Sequence, residues 1–272
     1  MQVINVIVNS TWLVDLFVYG PIAIQRRINL NEPKGFRLEN PFYSDIEMDK
    51  SQFGVRATIT AFASSSHLAQ KAALLFFGQM LDVLAYHIDS PLLLSLTERT
   101  GRLSDNPVAR RIIDEDTWRS CFREARLLAL SEPSFMRALG WYHKGLITEN
   151  PLDKFLAYWN SIEIVASKYH PPIPQGRSTG SKSTIWESFK LIWGECEYWP
   201  IILGDKQWID ANYDLRVSIA HGTGPVDINQ VEIVLGKLET IGKVAHAFLT
   251  KWRGEQLNPK LPPELLNKFG YG

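Results

Sequence analysis

The spacing of apolar residues changes once along this 272-residue chain, and this change limits the folds open to it. In the first hundred residues, Val55, Ala57, Ile59 and Ala61 alternate with polar side chains, as in a half-buried strand. Beyond residue 106, apolar residues recur at spacings of three and four, the period of helices that bury one face. We therefore predict an α+β protein, in which a small mixed α/β N-terminal domain precedes an all-α helical domain.

The N-terminal domain is predicted to contain a β-α-β element. Strands are expected at residues 3–8, 12–19 and 55–61, because these runs are rich in β-branched and aromatic residues or alternate in polarity. Ser64 to Ser66 supply N-caps for a helix that continues to Ile88, where Asp89-Ser90-Pro91 ends it. Leu92, Leu94 and Leu96 alternate again and predict a further strand.

The helical domain is predicted to follow without strands. We expect the boundaries 1–104 for the first domain, 105–254 for the second and 255–272 for a Pro-rich tail. Gly254 is expected to stop the last helix, which Pro225 is expected to start. The helices are expected at residues 107–130, 133–146, 151–169, 184–198, 206–221 and 225–253.

Charge and cysteine content exclude several classes of protein. The 29 basic and 29 acidic residues balance, so a broadly basic nucleic-acid coat is excluded and any contact with nucleic acid must be local. Cys121 and Cys196 have neither a disulfide framework nor a metal-ligand spacing. We therefore predict no metal and no cofactor, and a reducing, cytoplasmic location.

No membrane segment is expected. The longest nearly uncharged run, residues 72–88, contains Gln79, Asp82 and His87 and is shorter than the roughly 20 apolar residues that span a bilayer. The first 24 residues lack an early Lys or Arg and do not resemble a signal peptide.

A glycine-rich run, residues 176–183, is similar to a phosphate-binding loop but departs from its spacing. A Walker A loop needs G-x-x-x-x-G-K-[ST] between a strand and a helix, whereas here Gly180 comes one residue early and the preceding element is helical. We interpret this run as a polar connector.

Three arginines share one face of the helix predicted at residues 107–130. Arg119, Arg123 and Arg126 are four and three residues apart and are candidate phosphate contacts. Acidic residues lie among them, so a solvated, ion-paired face is the commoner interpretation of such a helix.

The segment from Arg216 to Gly222 carries the most chemical information. Arg216 keeps its charge at all relevant pH values and suits a phosphate in a pentacoordinate transition state. His221 is expected at the end of a helix, where backbone carbonyls favour its protonated ring, so that it could accept and donate protons near neutral pH.

The chain resembles the HEPN superfamily at this segment, because R-x4-6-H near a helix end is the signature of those all-α proteins. The runs 135–146 and 150–163 also look like the Apea-like branch and the J-type proteins of methylamine-utilisation clusters. The resemblance covers roughly residues 105–254.

The resemblance implies a metal-independent endoribonuclease with Arg216 and His221 as its catalytic pair, acting in antiphage defence or stress. A homodimer is implied as well, since one Arg-His pair makes an incomplete site. Active members commonly carry a polar residue after the arginine, where this chain has Val217. The alternative is therefore a catalytically silent accessory module that binds a nucleotide or a protein.

Glu163 is predicted to support the pair. It interrupts the apolar stripe of the helix at 151–169, and a carboxylate there is costly unless it is paired, so we expect Arg216 or another helix-borne base to meet it. Trp141 and the other tryptophans are expected to be core or interface residues. His143 and His246, lone members of helices, are expected to have core or surface roles.

Overall fold

The computed structural model describes residues 10–34, 42–98, 109–174, 180–221 and 227–257, and residues 262 and 268 singly. The strand predicted at residues 3–8, the glycine-rich run between residues 175 and 179, and Gly222 and Pro225 lie outside these residues. The chain divides into two compact units, of which the first is Met1–Ala85 with Ser90–Ser131 and the second is Tyr86–Asp89 with Glu132–Gly272.

The first unit is built on a five-stranded antiparallel sheet with the order β3-β4-β5-β1-β6. A separate parallel pair joins two strands of two residues each, β2 and β7. The sequence did not predict β3 or β4. The strands are β1 (Ser10–Tyr19), β2 (Ile22–Ala23), β3 (Ile28–Lys34), β4 (Phe42–Ser51), β5 (Gly54–Ala63), β6 (Leu93–Ser95) and β7 (Arg111–Ile112).

One face of the sheet is apolar across four strands. The register aligns Val14 of β1 with Ile59 of β5, Ile59 with Ile46 of β4, and Ile46 with Leu30 of β3, and all four side chains are buried. The opposite face is mixed, because side chains alternate across a strand and both Asp15 and the buried Phe17 of β1 lie there. There Asp15 accepts hydrogen bonds from Thr58 and Arg56. The alternation predicted for residues 55–61 is confirmed.

The first helix, α1 (Ser66–Ile88), joins β5 to β6. Its start is capped by the Ser65 hydroxyl, which accepts from the Leu68 amide at 3.3 Å. β5 and β6 both pair antiparallel with β1, so they run parallel on either side of it and form a split β-α-β unit. The predicted cap and β-α-β element are therefore confirmed.

By length and composition alone, α1 could cross a membrane, and 44% of its most apolar window is buried within the protein. Phe77 and Met80 are fully buried, and the Phe77 ring contacts Trp118 of α2 (Glu115–Ser131). A single helix of this kind is weak evidence for a membrane span, because core helices of soluble proteins have the same composition. The burial is consistent with a soluble protein.

The second unit is helical, and α4 lies at its centre. Asn150 caps α4, and its side chain accepts from the Leu152 and Asp153 amides, as expected for an Asn-Pro start. α4 contacts all four other helices of the unit. These helices are α3 (Pro133–Ile147), α4 (Pro151–Tyr169), α5 (Ser181–Trp193), α6 (Trp208–His221) and α7 (Ile228–Trp252).

Two glycines let α3 and α7 approach α4 closely. A Cβ added to Gly145 of α3 would lie 2.5 Å from the Tyr158 ring of α4, and one added to Gly242 of α7 would lie 3.2 Å from the same ring. Tyr158 is therefore held between two helix backbones.

Several helix ends differ from those predicted. α2 begins at Glu115 rather than near residue 107, because β7 precedes it. α2 belongs to the first unit, together with the sheet, and the domain boundary predicted at residue 104 lies outside the described residues. α5 ends at Trp193, where Gly194 has a φ of 80°. Asp227 caps α7, and the helix continues beyond Gly254 as a π-helical turn, Arg253–Leu257.

The close approach at Tyr158 predicts opposite effects of two Gly→Ala substitutions. Gly145→Ala is expected to lower the free energy of unfolding by about 1–3 kcal/mol, because the new methyl group overlaps the buried ring. Gly236→Ala on α7, where nothing lies within 4 Å, is expected to raise it by about 0.5–1 kcal/mol. Urea denaturation of both variants measures this, and equal effects would refute the proposed packing constraint.

Candidate functional site

Glu163 and Arg216 meet in the second unit, as the sequence predicted. The Arg216 Nη2 atom lies 3.3 Å from Glu163 Oε2, and both side chains are mostly shielded, with 26% and 16% of their surfaces exposed. Partial burial makes such a pair stronger than one in open solvent, because water screens it less. Glu163 thus holds the guanidinium of Arg216 against α4.

The pair lies in a groove of about 580 Å³ between α3 and α4. Residues 160, 163, 164, 167 and 168 have the spacing of one helical face, and residues 137 and 141 are one turn apart on α3. α6 contributes Arg216. The lining residues are Arg137, Trp141, Asn160, Glu163, Ile164, Ser167, Lys168 and Arg216.

The groove carries an excess of positive charge in a neutral chain. Arg137, Lys168 and Arg216 line it, against the single carboxylate of Glu163. Trp141 forms part of the wall, and the Lys144 ammonium lies 4.7 Å from the centre of its ring, which adds a fourth cation beside the groove. Clustered cations beside an indole can bind a phosphate and an adjacent ring.

Arg216 has hydrogen-bonding capacity that its fold does not use. Its Nε atom is buried and has no hydrogen-bond partner among the described residues. The first half of α6 is anchored by buried Trp208, Ile209 and Asn212, whereas residues 215–219 are only half-buried. The guanidinium is therefore carried on the less anchored half of its helix.

His221 is the last residue of α6 and is exposed. It does not line the groove that contains Arg216. Five residues of α-helix correspond to about 7.5 Å of rise and about 140° of rotation, so the two side chains leave the helix on different faces. Within one chain, the structure does not bring the arginine and the histidine into one described cavity.

The three candidate arginines of α2 have different surroundings. Arg119 Nη1 lies 2.7 Å from Glu32 of β3, and its Nη2 lies 3.1 Å from Glu115. Arg126 lines an apolar cavity of about 330 Å³ formed by β5, α1 and α2. Arg123 is exposed, so a phosphate role stays a prediction there.

Burial dominates the chemistry of Glu32. The pKa of this carboxyl is raised above its usual 4.5, because the cost of burying its charge outweighs the attraction of Arg119 and Arg123. Arg119 is therefore occupied in compensating a buried charge.

The sequence predicted only Glu163 and Arg216 among the residues that line the groove and missed the others, which include Arg137, Trp141 and Lys168. Arg137, Trp141 and Lys144 are spaced four and three residues apart, and Asn160, Glu163 and Ser167 are spaced three and four apart. This spacing placed each set on one helix face, but only the packing of α3 against α4 joins the two faces into one groove.

Comparison with known proteins adds no identification: no family model, curated protein or solved structure matches the chain.

Arg119→Ala is expected to lower the free energy of unfolding by about 3 kcal/mol, because it leaves the buried Glu32 carboxylate without its closest partner. The loss is expected to shrink as the pH falls through the folded pKa of Glu32, which lies above 4.5, because the protonated carboxyl no longer needs a cation. Denaturant titrations across pH measure both effects.

The double variant Glu32→Gln/Arg119→Met serves as the control, since it removes both charges and is expected to recover most of the stability. A loss in Arg119→Ala that is independent of pH would contradict the role given to Glu32.

Proposed function

We propose that the second unit is a HEPN-like helical bundle and that the protein is a metal-independent endoribonuclease. Arg216 and His221 are its catalytic pair, in a cleft formed by two copies of the chain. The observation that carries this proposal is the guanidinium of Arg216, held by Glu163 in a positively charged groove with its Nε unpartnered. A cytoplasmic role in antiphage defence or stress is part of the same proposal.

The chemistry needs no metal ion. His221 takes the proton of an RNA 2′-hydroxyl, and the 2′-oxygen attacks the adjacent phosphorus atom. The bond from phosphorus to the 5′-oxygen breaks, leaving a 2′,3′-cyclic phosphate, and a protonated His221 ring gives its proton to the 5′-oxygen. Arg216 stabilises the charge that collects on the phosphoryl oxygens.

A second copy of the chain would complete the site. Arg216 and His221 leave α6 on different faces, so one copy places only one of them at a given phosphate. The start of α7 exposes large apolar side chains close in sequence to His221, with Ile228 79% and Leu235 53% exposed. Exposed apolar residues beside a polar site favour self-association.

Cleavage of a single-stranded RNA in EDTA tests the enzyme. His221→Ala and Arg216→Ala are each expected to slow it by about 10²-fold or more, because they remove proton transfer and charge stabilisation respectively. Glu163→Gln is expected to have a smaller effect, since the amide can still accept a hydrogen bond from Arg216. The readout is the appearance of 2′,3′-cyclic phosphate ends on a gel.

Equal rates in the wild type and His221→Ala would contradict the catalytic assignment, as would activity that EDTA abolishes. Circular dichroism of each variant controls for folding.

One observation favours a second candidate, a catalytically silent module that binds nucleic acid. His221 does not line the groove of Arg216, and the half-buried Val217 stands beside the arginine. In this case the groove would bind a phosphodiester without cutting it.

Affinity for a non-cleavable strand distinguishes the two candidates. Trp141→Ala and Lys168→Ala are both expected to weaken binding of a 2′-O-methyl RNA oligomer. For Trp141→Ala the loss is about 1–3 kcal/mol, because a stacking contact is removed. Lys168→Ala is also expected to reduce the slope of log affinity against log salt by about 0.7. Fluorescence anisotropy across salt concentrations measures both.

Lys71→Ala, at an exposed lysine of α1 that does not line the groove, is the matched control and is expected to bind normally. Normal binding with no cleavage would favour the silent module, whereas equal losses in Lys71→Ala and Lys168→Ala would contradict a role for the groove.

A further inference from the structure

A second cavity, of about 610 Å³, lies elsewhere in the second unit. It falls within the size range of small-molecule sites. It is lined by Asp89 in the turn after α1, by residues of α3, α4 and α7, and by a residue of the loop before α6. The polar and strained residues of the lining are Asp89, Tyr142, Lys154, Tyr158, Ile201, Glu239, Lys243 and His246.

One residue of this cavity has an unfavourable backbone conformation. Ile201 has a φ of 73°, whereas the φ of 47° at Asp89 belongs to the turn that ends α1, in which the Asp89 and Ser90 amides donate to the Tyr86 and Ala85 carbonyl oxygens. Positive φ is costly for a β-branched residue such as isoleucine. Such conformations persist where the surrounding structure enforces them, and they cluster at ligand sites.

Tyr142 contacts three other residues of the cavity lining. Its hydroxyl donates to the Asp89 carboxylate, and its ring centre lies 5.5 Å from that of His246 and 5.6 Å from that of Tyr158. His246 Nε2 lies 3.1 Å from the Tyr86 carbonyl oxygen. A carbonyl only accepts, so Nε2 carries the proton in the neutral ring and Nδ1 remains an acceptor.

The cavity lining therefore includes acceptors, which are the exposed carboxylate of Asp89, the Nδ1 atom of His246 and the hydroxyl oxygen of Tyr158. Burial and the nearby Asp89 charge raise the pKa of Tyr158 to about 12, so this group is a neutral phenol at physiological pH. One carboxylate and two neutral acceptors suit a primary ammonium, which has three donors.

The cavity lining also carries positive charge. Lys154 lies one turn before Tyr158 on α4, and no carboxylate of the described residues lies within ion-pair distance of it. Lys243 is already paired with Glu239. Asp89 and Lys154 are thus an anion and a cation of one lining without an ion-pair partner among the described residues, and they match a ligand with both charges.

Stacking of a nucleobase is disfavoured here. The Tyr158 ring is covered by Gly145 and Gly242, and one face of the Tyr142 ring is covered by His246.

We propose that this cavity binds a small zwitterion of the amino-acid class, with its ammonium on Asp89 and its carboxylate on Lys154. The site is separate from the groove of Arg216 and does not depend on the proposed nuclease. It would make the protein responsive to a metabolite.

The test uses the full chain and each of the common L-amino acids in turn, with thermal unfolding as a screen and calorimetric titration for the dissociation constant. At least one amino acid is expected to raise the unfolding midpoint. Its N-acetyl derivative, which lacks the ammonium, and its amide, which lacks the carboxylate, are each expected to bind at least about tenfold more weakly.

Asp89→Asn and Lys154→Met are expected to weaken binding of that amino acid by about tenfold or more. Asparagine tolerates positive φ and can still accept from Tyr142, so the fold is expected to survive. Lys168→Met, also on α4 but in the other groove, is the matched control and is expected to bind normally.

The absence of a shift with every amino acid would overturn the proposal. Undiminished binding by both Asp89→Asn and Lys154→Met, or tighter binding of the N-acetyl derivative, would also overturn it.

Discussion

The contact on which the second unit depends is the enclosure of the Tyr158 ring between Gly145 and Gly242. Because neither glycine has a side chain, the backbones of α3 and α7 both reach α4, which becomes the common packing partner of the unit. The two candidate sites follow from this arrangement. One side of the α3–α4 contact forms the groove of Arg216, and α7 joins α3 and α4 to line the cavity of Asp89. The two close approaches to Tyr158 thus bring together the helices that carry both sets of polar side chains.

A neutral overall charge does not prevent charges of one sign from clustering locally. The chain balances its charges in number, but the groove concentrates cations around one carboxylate, while Arg119 is occupied by the buried Glu32. Density of arginine along the sequence is therefore a poor guide to anion binding in this protein. An arginine beside a buried carboxylate is less available to an anion, because a desolvated carboxylate needs a cation more than a solvated one does.

The local sequence pattern was sufficient to predict much of the fold. The alternation at Val55 to Ala61, the serine cap of α1 and the Asn-Pro start of α4 each depend on neighbouring residues, and the structure confirms them. β3 and β4 escaped prediction because Glu32 and Ser44 occupy buried positions where the alternation needs apolar residues, and the strands are stabilised by pairing across the sheet. The Glu163–Arg216 pair could be inferred from the cost of burying a carboxylate. The groove and the Asp89 cavity could not, because each combines side chains from three or more separate segments.

Glu163 has a consequence beyond positioning. It is a counter-ion built into the protein that lies against the Nη2 atom of Arg216, while the Nε atom has no partner among the described residues. In the proposed function, a phosphate at Arg216 would therefore bind against the repulsion of a resident carboxylate, which is unfavourable for a weakly bound monoanion and is offset for a ligand that also engages the neighbouring cations. The intramolecular carboxylate would then act as a threshold that favours a strand with several phosphates over a single free anion.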